Sequence, residues 1–216
     1  MRIYAVADIH AKRRRLDQIA KNVNRLKPDL LVVAGDLTHY RSSSFVVDQL
    51  TRLPVPVFAI RGNTDRKMIG RQIAHTSSIS SKYLPPTPVC PFAFVGIDGT
   101  VPIPFRSRIA FREIQVLKKI SPLVNRNTVL VVHPPPWGIL DEVLGKFSAG
   151  SKNLLAFVRH TQPAVVLCGH IHERPGVRQL RKTHVINCTM GNGSRGACID
   201  CDDDNLQRLK IKLLYK

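Results

Sequence analysis

The sequence predicts an α/β chain in which two β-sheets pack face to face with helices on the outside. Three observations predict it. The first 60 residues alternate short apolar runs with amphipathic stretches, the pattern of parallel strands joined by crossover helices. The residues after Glu173 break into short strand-like runs, the pattern of antiparallel sheet. Five apolar runs also stop at a polar residue able to bind metal, as happens where side chains converge beyond the carboxyl ends of strands.

Met1 to Ala7 reads as the first strand and Lys12 to Leu26 as a helix, with Leu16, Ile19, Ala20 and Val23 spaced for one buried face. Leu30 to Ala34 is the second strand. Ser42, Ser43 and Ser44 then cap a helix reaching Leu50 or Leu53. Pro54 and Pro56 separate that helix from a third strand, Val57 to Ile60. From Ser77 to Pro104 the chain is rich in Ser, Pro and Gly, with short apolar runs such as Phe92 to Ile97; it reads as antiparallel strands and loops without a crossover helix. Arg108 to Ile120 has helical character and Val129 to Val132 is a strand, followed by the stiff loop Pro134-Pro135-Pro136. Ser151 caps a helix over Lys152 to Arg159. Val165 to Cys168 is the next strand, and Val177 to Leu180, His184 to Asn187, Gly196 to Ile199 and Leu206 to Leu214 close the chain as antiparallel sheet.

The 216 residues are 44% hydrophobic, enough for one globular domain over 1–216. No stretch approaches the roughly 18 apolar residues of a membrane span, and the N-terminus does not resemble a signal peptide, so a soluble cytoplasmic protein is expected. Thirty-three Lys and Arg against 15 Asp and Glu leave a formal charge of +18, which attracts anions. A phosphate compound is the expected partner. Nucleic acid is possible but not favoured, because no RNA- or DNA-binding module is visible. The run Lys12-Arg13-Arg14-Arg15 is either a solvated helix face or an aid in drawing the anion in. Cys90, Cys168, Cys188, Cys198 and Cys201 are an odd set read as core thiols, and Cys198-Ile199-Asp200-Cys201 lacks the partner pair of a zinc site. Gly191-Asn192-Gly193-Ser194-Arg195-Gly196 fits a dinucleotide fingerprint, but a strand-like run follows it where a helix is required, so it is read as a loop near the site.

Seven residues carry the chemistry: Asp8, His10, Asp36, Asn63, His133, His170 and His172. One Asp or His after a strand is ordinarily a cap or a hydrogen-bonded core group. Seven at successive strand ends point instead to a metal centre. Carboxylate oxygen with imidazole nitrogen suits Mn, Fe, Co, Ni or Zn, and the absence of cysteine argues against a thiolate site. Seven ligands exceed one tetrahedral ion, whereas two ions sharing a carboxylate, about 3.5–4 Å apart, use them all and leave room for a bridging hydroxide.

Asp8-Ile9-His10, Gly35-Asp36, Gly62-Asn63-Thr64-Asp65, His133 and Gly169-His170-Ile171-His172 together resemble the calcineurin-like metallophosphoesterase superfamily. The stretch His133 to Asp141, with Gly150-Ser151 and Glu173, is similar to its small class III-type phosphodiesterase branch. The resemblance implies a four-layer αββα sandwich of two mixed sheets flanked by helices. It implies one metal on Asp8, His10, Asp36 and His172, a second on Asp36, Asn63, His133 and His170, and Asp36 as the bridge, with Asn63 also touching a phosphate oxygen. The implied activity is a dinuclear phosphohydrolase, a phosphodiesterase before a phosphomonoesterase, with the bridging hydroxide as nucleophile. A nuclease and a non-catalytic scaffold of the same fold are the alternatives. The sequence departs from the family at Thr64, where a histidine commonly protonates the leaving oxygen; threonine cannot do so near neutrality. His39 is the candidate substitute. Asp65 is expected to orient the Asn63 loop or a metal-bound histidine, and Arg61 and Arg66 are candidates to bind phosphate.

Overall fold

The computed structural model describes residues 1–40, 44–87, 91–99, 108–202 and 205–215. In chain order the first part runs β1 (Arg2–Val6), α1 (Arg13–Leu26), β2 (Leu30–Ala34), α2 (Ser44–Thr51), β3 (Val57–Ile60), α3 (Lys67–Ala74), β4 (Ile79–Ser80) and β5 (Tyr83–Leu84). Next come β6 (Ala93–Gly96), α4 (Arg108–Ile120), β7 (Thr128–Val131), β8 (Glu142–Val143), β9 (Phe147–Ser148), α5 (Lys152–Thr161) and β10 (Val165–Cys168). β11 (Gly176–Leu180), β12 (Thr183–Asn187), β13 (Ser194–Asp202) and β14 (Asn205–Tyr215) finish the chain.

One sheet has the order β14-β13-β1-β2-β3-β4 and the other β11-β12-β10-β7-β6-β5, while β8 and β9 form a separate hairpin. Both large sheets are mixed. Period-two alternation divides each strand between two interiors. Ile3 and Ala5 of β1 meet Val165 and Leu167 of β10 in the layer between the sheets. Tyr4 and Val6 face the other way, into a cluster with Leu16, Ile19 and Val23 of α1 and the buried residues of α2 and α3. On the far side Val166 and Cys168 pack against Leu154 and Val158 of α5 and Leu117 of α4. The result is the four-layer αββα sandwich.

The connections into β2 and β10 use the same device. Lys27 and Gln162 take left-handed backbone at φ 48° and close their helices by donating their backbone N–H to the Val23 and Val158 carbonyls. Pro28 and Pro163 then prevent the helix from continuing. Ser151 caps α5 as expected, accepting the Leu154 amide at 3.0 Å.

Several expectations need correction. Ala93–Gly96 pairs antiparallel with β5 but parallel with β7, with α4 between them in the chain, so the middle segment feeds a parallel crossover after all. Helix α3 and strand β4, the latter parallel to β3, were not expected. Nor does the chain divide into a parallel half and an antiparallel half. β12 runs parallel to β10, and β13 returns to pair with β1, completing the first sheet. On α1 Leu16, Ile19 and Val23 are buried as expected, but the fourth buried residue is Asn22, whose amide donates to the Tyr4 hydroxyl, while Ala20 is half-buried. Ser42, Ser43 and Cys90 lie outside the described residues. Cys168, Cys188, Cys198 and Cys201 are buried, and Cys168, Cys188 and Cys198 are free thiols. Cys198 belongs to the helix-side interior and Cys201 to the layer between sheets, so the C-x-x-C pair faces opposite sides of one strand.

At one end the two sheets are hydrogen-bonded to each other. The Ala7 amide donates to the Cys188 carbonyl at 3.0 Å, and the Met190 amide donates to Ala7 at 3.0 Å. This stitch draws the tips of β1 and β12 together, and the loops after β2, β3, β7 and β10 gather at the same end.

Candidate metal centre

The structure brings all seven sequence-predicted ligands together. Asp8 Oδ1 lies 3.4 Å from His172 Nε2 and 3.9 Å from His133 Nε2. Asp36 Oδ2 lies 3.8 Å from His10 Nε2 and 3.4 Å from His133 Nε2. His10 and His172 approach through their Nε2 atoms at 3.2 Å, and Asn63 Oδ1 is 3.0 Å from both His133 Nε2 and His170 Nδ1. Two groups have donor atoms close enough to hold an ion, Asp8 with His10 and His172, and Asp8 with Asp36 and His133.

Backbone geometry shows how these residues are held. Asp8, His10, Asp36 and His170 have positive φ, at 61°, 53°, 53° and 71°. Left-handed backbone at a non-glycine residue costs on the order of 1–2 kcal/mol, and four such residues around one point mark a site whose geometry is imposed by its surroundings. Lateral bonds impose it. The Asp8 amide donates to Gly35, the His10 amide to Asp36 and the Gly169 amide to His133. The His170 amide donates to the Asp8 carboxylate, and Asn187 Nδ2 donates to the Ile171 carbonyl at 2.8 Å. Two motif glycines are needed for close approach. A Cβ at Gly62 would sit 2.1 Å from Asp36 Oδ1, and one at Gly169 would sit 2.4 Å from Ala7 Cβ and 2.8 Å from Asp8 Oδ2.

The electrostatics are those of a site built for cations. Burial would raise the Asp8 carboxyl, yet His172, His133 and Thr189 outweigh it and hold it at about 2. Burial would lower His133, but Asp36, Asp8 and the Ala34 carbonyl push it up to about 9. His170 is depressed to about 4 by burial and then by the neighbouring His133. The His133 ring gives the clearest test of fit. Its Nδ1 lies 2.8 Å from the Ala34 carbonyl, which can only accept, so Nδ1 carries a proton. In the neutral ring the Nε2 lone pair then points at Asp36 Oδ2 and Asn63 Oδ1, two further acceptors. Such an arrangement is repulsive unless a proton or a cation lies between them. His10 Nδ1 is also buried with no hydrogen-bond partner among the described residues. The donor set fits divalent metal.

The chain belongs to the calcineurin-like phosphoesterase family. The family's model matches residues 1–174. The uncharacterized protein MJ1162 of Methanocaldococcus jannaschii is 27% identical over 199 residues, 87% of each chain. Among solved structures, TT1561 of Thermus thermophilus matches with a TM-score of 0.73 at 14% identity over 98% of each chain. A dimetal phosphatase from Danio rerio matches with a TM-score of 0.67 at 14% identity, over 100% of this chain and 96% of that one. These two likenesses establish the shared fold.

Other predicted residues of this phosphoesterase take varied positions. A cavity of about 420 Å³ at the centre is lined by His10, Asp36, Asn63, His170 and His172 together with Lys12, His39, Tyr40 and Thr64. The His39 ring stands edge-on to His10 with centroids 5.5 Å apart. Thr64 is buried, its amide donating to Asp36 Oδ1 at 2.9 Å and its hydroxyl to the Thr38 carbonyl at 2.5 Å. Asp65 accepts from the amides of Leu37, Thr38 and Gly62 and from the Thr38 hydroxyl, tying the Asp36 loop to the Asn63 loop. Among the described residues it makes no hydrogen bond to a histidine. Arg61 and Arg66 do not line the cavity, and Arg61 is engaged by Asp98 at 2.9 Å. The Gly191 turn does lie at the site: a Cβ there would sit 2.6 Å from the His172 carbonyl. Sequence reasoning missed Tyr40, which is 56% exposed at the cavity rim and which no local signal marks. Arg15 was visible only as part of the basic run, and its guanidinium proves to donate to the Asp8 carbonyl. Sequence reasoning also missed the Asp98 partner of Arg61, which lies 37 positions away.

Among the described residues no helix is long and apolar enough to cross a membrane.

Proposed function

We propose that this phosphoesterase is a phosphodiesterase whose two divalent transition-metal ions are held by Asp8, His10, Asp36 and His172, and by Asp36, Asn63, His133 and His170. The observation that carries the reading is His133: with Nδ1 committed to Ala34, its Nε2 faces two acceptor oxygens, a position that takes a proton in the metal-free chain and suits a divalent cation in its place. Asp36 is the shared ligand. Thr64 holds its Oδ1, and its Oδ2 is directed between His10 and His133, one imidazole from each set. Asp8, whose carboxylate also accepts from the His170 amide, lies within reach of His172 and His133 as well.

When bound, the ions supply a water acidified toward neutrality and neutralise charge on the phosphoryl oxygens. The chain's own residues supply the rest. Asn63, exposed to the cavity, offers its amide N–H to a phosphoryl oxygen. His39, on the same wall, carries the proton to the leaving oxygen, a role closed to Thr64 because its hydroxyl is spent on Thr38. Asp65 fixes the spacing of the Asp36 and Asn63 loops. The diester preference is supported by the motifs Gly35-Asp36-Leu37 and Gly62-Asn63-Thr64, which lack the Asp-Arg-Gly and Gly-Asn-His-Glu of the protein-phosphatase branch. A single domain over residues 1–216 working in the reducing cytoplasm belongs to the same reading, and the free, buried thiols of Cys168, Cys188 and Cys198 support that compartment.

The test is hydrolysis of bis-p-nitrophenyl phosphate and p-nitrophenyl phosphate with manganese or nickel added. Faster diester cleavage is expected. Faster monoester cleavage would overturn the diester assignment. Metal binding without hydrolysis of either would favour the scaffold reading, for which Thr64 is the supporting feature.

A further inference from the structure

A second cleft of about 290 Å³ adjoins the metal centre, between the start of α1 and the turn entering β13. Lys12, Arg14, Arg15 and Arg195 line it with Asn192 and Ser194, and no Asp or Glu does. Lys12 lines the metal cavity as well, so one side chain forms a wall of both. Among the described residues Lys12, Arg14 and Arg195 form no ion pair, in contrast to Arg2, Arg61 and Arg174, each of which has a carboxylate partner. Arg15 is fixed between the two cavities by its bond to the Asp8 carbonyl. Isolated surface cations are normally just solvated. Four cations gathered in a concave dent repel one another and focus their field on whatever anion enters, and the guanidinium fork matches phosphate. On the metal cavity's rim Tyr40 presents a half-exposed ring beside His39. Aromatic faces next to a cationic groove are what a single nucleotide strand binds, through base stacking and phosphate contacts.

We propose that the Lys12–Arg195 cleft is a second phosphate subsite, and that the substrate is a single-stranded nucleotide chain. The scissile phosphate lies at the metal centre, a neighbouring phosphate lies between Arg14 and Arg195, and a base lies against Tyr40. This rests on the phosphodiesterase reading for its chemistry, but the subsite belongs to residues outside the ligand set. The Lys12-Arg13-Arg14-Arg15 run and the Gly191–Gly196 turn, unrelated in sequence, become its two sides.

The experiment measures binding by fluorescence anisotropy in metal-free protein, using a 3′-labelled trinucleotide with and without a 5′-phosphate. The phosphorylated form should bind about tenfold more tightly, as expected for one added charge-assisted contact. Raising salt should shrink that difference. Arg14→Glu and Arg195→Glu, on separate elements and each checked by circular dichroism, should abolish it, and Arg14→Gln should reduce it. Tyr40→Ala should weaken both ligands by a similar factor. Equal affinity for the two trinucleotides in the unaltered protein would overturn the subsite, as would a difference that survives both charge reversals. Because no metal is present, failure of the subsite is distinguishable from failure of phosphodiesterase activity, which is read separately as bis-p-nitrophenyl phosphate hydrolysis with manganese.

Discussion

Thr64 Oγ1 donates to the backbone carbonyl of Thr38 across a distance of 2.5 Å. The position at which the family commonly carries a proton-donating histidine is therefore a clamp between the Asn63 loop and the Asp36 loop. Thr64→Val keeps the shape and leaves the buried Thr38 carbonyl without this donor, which costs about 1–3 kcal/mol. Urea denaturation should show a lower midpoint at unchanged slope. An unchanged midpoint would remove the clamp role.

His39 lines the cavity and its ring stands edge-on to His10, so it is placed to meet a leaving group. His39→Ala should slow cleavage of a diester with an alkoxide leaving group by about 10²-fold while barely changing an aryl diester, whose leaving group needs no proton. Equal losses on both substrates would exclude a proton-donor role.

The pH dependence follows from His133. In the metal-free chain its pKa is raised from 6.5 to about 9, so it adds stability that is fully present below pH 6.5 and lost as pH rises through 9. His170, lowered from 6.5 to about 4, acts in the opposite sense: its stabilisation is present above pH 6.5 and lost as pH falls toward 4. Metal-free thermal stability should therefore fall between pH 7 and 9, and His133→Gln should flatten that limb. Because a metal must replace the His133 Nε2 proton, metal binding at pH 7 should release protons, visible as a buffer-dependent binding enthalpy. Activity should decline below about pH 6 and recover with excess metal; an acid limb insensitive to metal would contradict that origin.

Gly62→Ala places a methyl group 2.1 Å from Asp36 Oδ1, against backbone and a buried carboxylate that have little room to move. It should destabilise the fold by about 1–3 kcal/mol and weaken metal retention more than a substitution at Gly193, where a Cβ meets nothing within 4 Å and the φ of 75° adds backbone strain alone. Equal losses of metal at the two positions would mean that the Asp36 loop adjusts freely.

The parts of the fold legible in sequence were those specified locally. β2 and β3 match their expected limits, and α5 begins at its expected cap, because apolar runs, prolines and Ser151 lie within a few residues of each boundary. The seven candidate ligands were legible for the same reason: each lies two to four residues beyond the end of a strand. Helix α3 was not, since Gly70 and the exposed Met68 blur its short apolar face. The partners of β6 and β13 depend on pairings across the chain that no local pattern records. Arg61 looked available for phosphate because Asp98 is distant in sequence. The rim formed by Tyr40, Lys12 and Arg195 exists only after the β1 tip and the Gly191 turn are brought together.

The claim on which all of this rests is that the five strand tips hold a pair of metal ions. It is tested most directly by elemental analysis of protein loaded with manganese and freed of excess by gel filtration. About two ions per chain are predicted, falling to about one in Asn63→Ala or His133→Gln and to fewer than one in Asp36→Asn. A chain that retains no manganese, or whose content is the same in all three variants, would contradict the account.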